Sequence, residues 1–300
     1  MKRMVIATRR SRLALWQAEH IAALLKRSHR ELDIELLPLS TRGDELIDQR
    51  LDQAGGKGLF IKELEQAMAD GRADLAVHSM KDLPAELPPG FVIAAITARE
   101  DPRDAFVSLK YRNLGEMQKG NIGTSSLRRA AQVAERHPQL EMRLLRGNVE
   151  TRLAKLDRGE YDAIILAVAG LVRLGLASRI TSRLQPDESL PAPGQGALGI
   201  ECLESRQDAL ALLAPLGDPA TTLCVQAERA VSRALGGNCS LPLAAYAERR
   251  QDLLILRALV ASADGKRVLR AQAEGADPLA LGEKVAAELR RRGADEILAA

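Results

Sequence analysis

The sequence predicts an α/β protein of two doubly wound lobes followed by a smaller α+β unit with an antiparallel three-stranded sheet. Three observations point there. The 300-residue length is too great for one ordinary domain and suits two or three. Between residues 4 and 167, short apolar runs alternate with helix-period segments, the pattern of mostly parallel sheets covered by helices. After Asp218-Pro219 the order changes to one helix, three strand-like runs and a last helix.

In chain order, residues 4–8 form a strand. Ser11 then caps a helix to about His29, with Leu13, Trp16, His20, Ile21, Leu24 and Leu25 near one face. Residues 34–39 are a second strand, and 59–69 a helix followed by Gly71. Strands follow at 75–78 and 92–96. A second lobe opens near Asp101-Pro102, with strands at 121–123, 142–145 and 163–167 and helices at 125–136 and 149–157. Residues 198–202 are strand-like. The third unit has a helix from Asp218-Pro219 to about Leu235, strands near 243–246, 253–260 and 268–273, and a helix at 279–291.

Composition excludes several function classes. Aromatic residues are only 2% of the chain, so platforms for stacking single-stranded nucleic acid are lacking. A net charge of +3 does not predict a polyanion partner. The apolar run at 4–7 is too short for a signal peptide, and 163–172 is too short to span a membrane. The three cysteines form no Cys-x-x-Cys pair and the four histidines are scattered. The expectation is a cytoplasmic protein with reduced thiols and no metal site.

Arginines recur where strands lead into helices. Gly123-Thr124-Ser125-Ser126 precedes a helix beginning with Arg128 and Arg129. Helix N-terminal amides attract anions, hydroxyls add donors, and arginine grips carboxylates with paired bonds. A plain helix cap with two exposed arginines has the same local pattern. Arg146-Gly147-Asn148 with Thr151-Arg152, and Thr8-Arg9-Arg10-Ser11, repeat the arrangement at two more junctions. Ligands of open α/β sheets bind at the carboxyl ends of strands, so the set suggests a cleft for a ligand with many carboxylates.

Lys57, in Gly55-Gly56-Lys57-Gly58, lacks phosphate-loop spacing and reads either as a cation on a mobile loop or as an ordinary turn. Residues 194–199 fit Gly-x-Gly-x-x-Gly, but prolines precede and a strand follows, so a crossover back to the first lobe is the better reading than a dinucleotide site. Asp82 follows a strand beside Lys81; it reads as a turn carboxylate or as a buried acid facing the cleft. Cys239 lies in a glycine-rich loop, more accessible than Cys202 in a strand or Cys224 in a helix.

These segments together resemble the porphobilinogen deaminase (hydroxymethylbilane synthase) family. The resemblance rests on Val-His-Ser-Met-Lys-Asp-Leu-Pro at 77–84, Gly-Thr-Ser-Ser-Leu-Arg-Arg at 123–129 and Leu-Arg-Gly-Asn-Val at 145–149. It extends through the segments at 7–11, 55–60, 165–176 and 193–202 to the Gly-Gly-Asn-Cys loop at 236–239. It implies two lobes like those of periplasmic anion-binding proteins, spanning residues 1–97 with 197–216 and residues 98–196. A cofactor-attachment domain would span 217–300.

The resemblance further implies a dipyrromethane joined covalently to Cys239, with Asp82 as catalytic acid/base. Lys57, Lys81, Ser126, Arg128, Arg129, Arg146 and Arg152 would bind the cofactor, and Arg9, Ser11 and Arg173 the substrate. The implied reaction joins four porphobilinogen molecules with loss of ammonia, in a monomer without nucleic-acid or membrane partners. Asn238 and Ser240 depart from common family residues, which bears on loop shape, and Arg12 replaces a common Pro. Two other classes are a non-catalytic anion-binding effector module and a dinucleotide oxidoreductase.

Overall fold

The computed structural model describes residues 3–41, 61–236 and 241–299. The chain divides into two compact units, Met1–Glu100 with Ala197–Thr222 and Asp101–Gly196 with Leu223–Ala300.

The first unit is built on a five-stranded sheet. Its strands are β1 (Arg3–Arg9), β2 (Asp33–Leu39), β3 (Leu75–Ser79), β4 (Phe91–Ile96) and the returning β10 (Leu198–Leu203), in the order β2-β1-β3-β10-β4. β1 runs parallel to β2 and β3, whereas β10 is antiparallel to both of its neighbours. One face is covered by α1 (Arg12–Ser28) and α6 (Gln207–Leu213), whose Ala18, Ile21, Leu25 and Leu213 meet Met4, Ile6, Val77 and Ile200. The other face is covered by α2 (Lys62–Ala69), where Leu64, Ala67 and Met68 meet Ala7 and Ala76. Burial on both faces is why β1, β3 and β10 read as mainly apolar runs.

The predicted face of α1 is partly corrected. The buried residues are Ala14, Gln17, Ala18, Ile21 and Leu25, while Trp16 stacks on His20 outside that stripe. Small side chains let the helix approach the sheet closely. A tryptophan there would overfill the layer.

The second unit holds two sheets. The first has the order β7-β6-β8-β5-β9, from β5 (Asp104–Ser108), β6 (Asn121–Gly123), β7 (Glu141–Arg143), β8 (Ala163–Ala167) and β9 (Ser182–Leu184). β6 is parallel to β7 and β8, and β5 is antiparallel to β8 and β9. Helices α3 (Leu127–Arg136), α4 (Val149–Asp157) and α5 (Val168–Arg173) follow β6, β7 and β8. The second sheet is the expected antiparallel β11-β12-β13, from Leu243–Arg250, Leu253–Ala261 and Val268–Gly275. One of its faces packs on α7 (Pro219–Ala234), α8 (Pro278–Arg291) and α9 (Ala294–Leu298) through Val231, Leu256, Val285 and Leu289. The other brings Ala244, Leu259 and Ala261 against Ala131 of α3 and Leu190.

Candidate functional site

In the first unit, two strand ends meet at one concavity. At the end of β1, the buried Thr8 hydroxyl donates to the Ala14 carbonyl at 3.0 Å, and the Ser11 hydroxyl accepts from the Ala14 amide at 3.3 Å. This tight entry into α1 sets Arg9 and Ser11 at the helix N-terminus. At the end of β3, a 3-10 turn (Met80–Asp82) carries Lys81 and Asp82. The turn is held from two sides. Gln17 Nε2 donates to Ser79 Oγ at 2.8 Å, and the Met80 amide donates to the Ala197 carbonyl at 3.0 Å. Gly199 packs close beside it, since an added Cβ would overlap Met80 Sδ unless that side chain shifted.

The result is an open concavity of about 430 Å³ whose polar lining is Arg9, Ser11, Gln17, His78, Ser79 and Asp82. Three sequence-predicted residues therefore share one surface, with half-buried Lys81 next in the chain to Asp82. Of the two readings of Asp82, the buried acid is not what is found: Asp82 is exposed on its turn. Leu83 behind it is buried and anchors the turn, leaving the carboxylate at the concavity's rim.

In the second unit, Ser126 caps α3, accepting from the Arg129 amide at 3.4 Å. Arg128 and Arg129 are not the exposed arginines of a plain helix cap; both are almost fully buried. Arg128 donates to Asp104 at 2.8 and 3.1 Å and to the Leu190 carbonyl at 2.6 Å. Arg129 donates to Asp104 at 2.7 and 2.9 Å and to the Ile165 carbonyl at 3.2 Å. Ser189 Oγ and Gln195 Nε2 also donate to this carboxylate, at 2.8 and 2.9 Å. Burial pushes the Asp104 carboxyl up, but the two guanidiniums and their hydrogen bonds outweigh it and hold it well below the usual range.

The next junction presents Arg146. Gly147 has φ +111° and packs so closely that a Cβ would lie 2.7 Å from Thr151 Cγ2. Asn148 caps α4, and Arg152 Nε donates to the Gly147 carbonyl at 2.8 Å. Arg146 Nε is buried and has no hydrogen-bond partner among the described residues. In α5, Arg173 Nη2 donates to the Gly196 carbonyl at 2.6 Å. Residues 194–196 form a turn that leads directly into β10, so the glycines are not a dinucleotide loop.

Cys202 is fully enclosed, and burial pushes its thiol up to about 11; Cys224 is also buried. Lys57 and Cys239, with Asn238 and Ser240, lie outside the described residues. Among the described residues no helix is long and apolar enough to cross a membrane.

Asp104, Ser189 and Gln195 complete this network and are not among the sequence-predicted residues. The only local sign of Asp104 is an acid heading an apolar run; its partners are 24 or more residues away.

Comparison with known proteins identifies the family. A family model described as porphobilinogen deaminase, dipyromethane cofactor binding domain, matches residues 4–211, and the porphobilinogen deaminase C-terminal domain matches 222–291. The porphobilinogen deaminase of Bordetella parapertussis is 57% identical over 302 residues, covering 100% of this chain and 96% of that protein. That of Burkholderia thailandensis is 58% identical over 301 residues, covering 98% and 92%. Among solved structures, the methionine binding protein MetQ gives a TM-score of 0.46 at 13% identity, covering 76% of this chain and 91% of that one. The periplasmic aliphatic sulphonate binding protein SsuA from Escherichia coli gives 0.42 at 11%, covering 78% and 70%. With two family domains matched in order and relatives 57% identical along its whole length, the chain belongs to the porphobilinogen deaminase family.

Proposed function

We propose that the protein is a transferase that condenses four porphobilinogen molecules head to tail, releasing one ammonia per addition and finally hydroxymethylbilane. The observation that carries this is Asp82 on one concavity with Arg9 and Ser11. Porphobilinogen brings two carboxylates and an aminomethyl group. Arg9 and Ser11 bind its carboxylates beside Asp82, and Lys81 binds those of the cofactor. Asp82 accepts hydrogen bonds from pyrrole N–H groups and stabilises the positive charge that develops as the C–N bond breaks and ammonia leaves. After the new C–C bond forms, Asp82 takes up the proton lost from the ring carbon.

The second unit fits a dipyrromethane rich in carboxylates. Arg146 Nε is a buried donor with no partner among the described residues. Ser126 and Arg152 stand at neighbouring helix starts. The buried pair Arg128 and Arg129 carries two positive charges against one on Asp104, which favours an anion at the start of α3. Lys57 binds cofactor carboxylates, and Arg173 assists incoming substrate. When bound, the dipyrromethane supplies the primer whose free ring carbon attacks.

Its attachment is a thioether to Cys239. Cys202 and Cys224 are enclosed, which supports that choice. We read residues 1–97 with 197–216, 98–196 and 217–300 as three domains of a cytoplasmic monomer. The test is intact mass: the purified protein should exceed its sequence mass by two pyrrole units, and Cys239→Ser should lack the surplus and be inactive. An unmodified mass with no turnover would instead favour a non-catalytic anion-binding module.

A further inference from the structure

Behind the first concavity lies a set of ionisable groups that this mechanism leaves unused. Glu201, on β10, is wholly buried, and His78, on β3, is nearly so. His78 Nε2 lies 2.9 Å from Glu201 Oε2. Glu65, on α2, completes the set at 8% exposure. Glu65 Oε1, both Glu201 oxygens and His78 Nε2 lack a well-formed hydrogen bond among the described residues. Buried polar atoms in this condition are uncommon and call for an explanation.

Among the described residues the charges nearby are few. α2 packs on β1, β3 and β10. β10 contributes Glu201, β3 contributes His78, and the helix itself contributes Lys62 and Glu63. β1 has titratable groups only at its ends, Arg3 and Arg9. Burial first and Glu201 second push the Glu65 carboxyl up to about 7, against the smaller pull of His78 and Lys62.

We propose that Glu65, His78 and Glu201 form one proton-sharing unit that sets the 79–82 turn and thereby Asp82, with His78 as the positioning residue. This rests on the assignment of Asp82 as the catalytic acid. The connection is short. His78 lines the same concavity as Asp82 and immediately precedes Ser79, the residue held by Gln17. β10 carries Glu201 and pairs with β3, His78 opposite Gly199, while the turn hangs from Ala197. Above neutrality Glu65 releases one proton to bulk water. The unit then gains one negative charge beneath a surface that must bind carboxylates.

Carboxyl carbon NMR of the holoenzyme, titrated from about pH 5 to about pH 9, reads Glu65 directly, and Glu65→Gln identifies its signal. Glu201→Gln should lower the Glu65 midpoint and His78→Asn should raise it; a purely structural contact gives no such opposed pair. The alkaline limb of kcat should follow the Glu65 midpoint in His78→Asn and be lost in Glu65→Gln. If Glu201→Gln does not fold, His78→Asn decides, because it leaves both carboxylates in place. A Glu65 signal that titrates in the ordinary carboxylate range, or ignores His78→Asn, overturns the unit. A normal Glu65 titration with kcat level through neutrality overturns its hold on Asp82. Failure of the Asp82 assignment itself reads differently, as near-normal ammonia release by Asp82→Asn.

Discussion

Replacing Asp104 by Asn should be among the most damaging single changes in the second unit, although the two side chains have nearly the same shape. Asp104 accepts six hydrogen bonds: two from Arg128, two from Arg129, and one each from Ser189 and Gln195. Asn removes the charge that compensates two buried guanidiniums and turns an amide NH2 toward donors. Breaking a buried ion pair from one side costs about 3–5 kcal/mol, because the surviving charge stays desolvated. In a unit of this size each kcal/mol lowers Tm by about 2–4 °C, so a fall on the order of 10 °C is expected. Scanning calorimetry measures it. The exposed pair Arg143–Glu141 serves as control, and Arg143→Gln should cost under about 1 kcal/mol. Asp104→Asn with Arg128→Met should cost less than the two single changes summed, since a charge of each sign is removed together. A loss in Asp104→Asn no larger than in the surface control would refute the idea that this carboxylate holds the arginines in place.

Asp82→Asn should fold and load cofactor, since the side chain is exposed, yet release ammonia roughly a hundredfold more slowly in single turnover. Gly147→Ala should lower stability by about 1–3 kcal/mol in urea titrations, from the left-handed backbone and the clash with Thr151. Glu65 gives a signed pH dependence. Its carboxyl is pushed up from an ordinary 4.5 to about 7, so between those values the folded state holds a proton the unfolded chain has released. Its contribution is therefore complete below pH 4.5, declines as pH rises toward 7 and is flat above. Denaturant titrations across that window should show a shallower decline in Glu65→Gln.

The buried strands were legible because strands covered on both faces are mainly apolar, as in β1, β3 and β8. β5 and β9 were not. β5 opens on Asp104, β9 has only three residues, and both pair antiparallel, so neither makes the expected strand-helix alternation. The helix starts at Ser11, Ser126 and Asn148 were readable because capping is local. The surroundings of Arg128 and Arg129 were not, because their counter-ion comes from another strand. Local sequence likewise could not show that Asp82 stands exposed while His78, four residues earlier, is buried against Glu201.

The return of the chain at β10 has a consequence for synthesis. β10 lies between β3 and β4, and β4 pairs with no other strand of its sheet. A nascent chain that has emerged through residue 100 has made four of the five strands but cannot join β4 to the rest. Until about a hundred further residues follow, β3 and β4 each present an open, apolar edge, the kind of edge that recruits other chains. The turn bearing Asp82 also waits, since its anchors Ala197 and Gly199 arrive with the same strand. The first unit is therefore begun first on the ribosome but cannot be completed until the inserted segment 101–196 has been made. A fragment ending near residue 100 should aggregate, whereas one reaching residue 222 contains every strand of both five-stranded sheets.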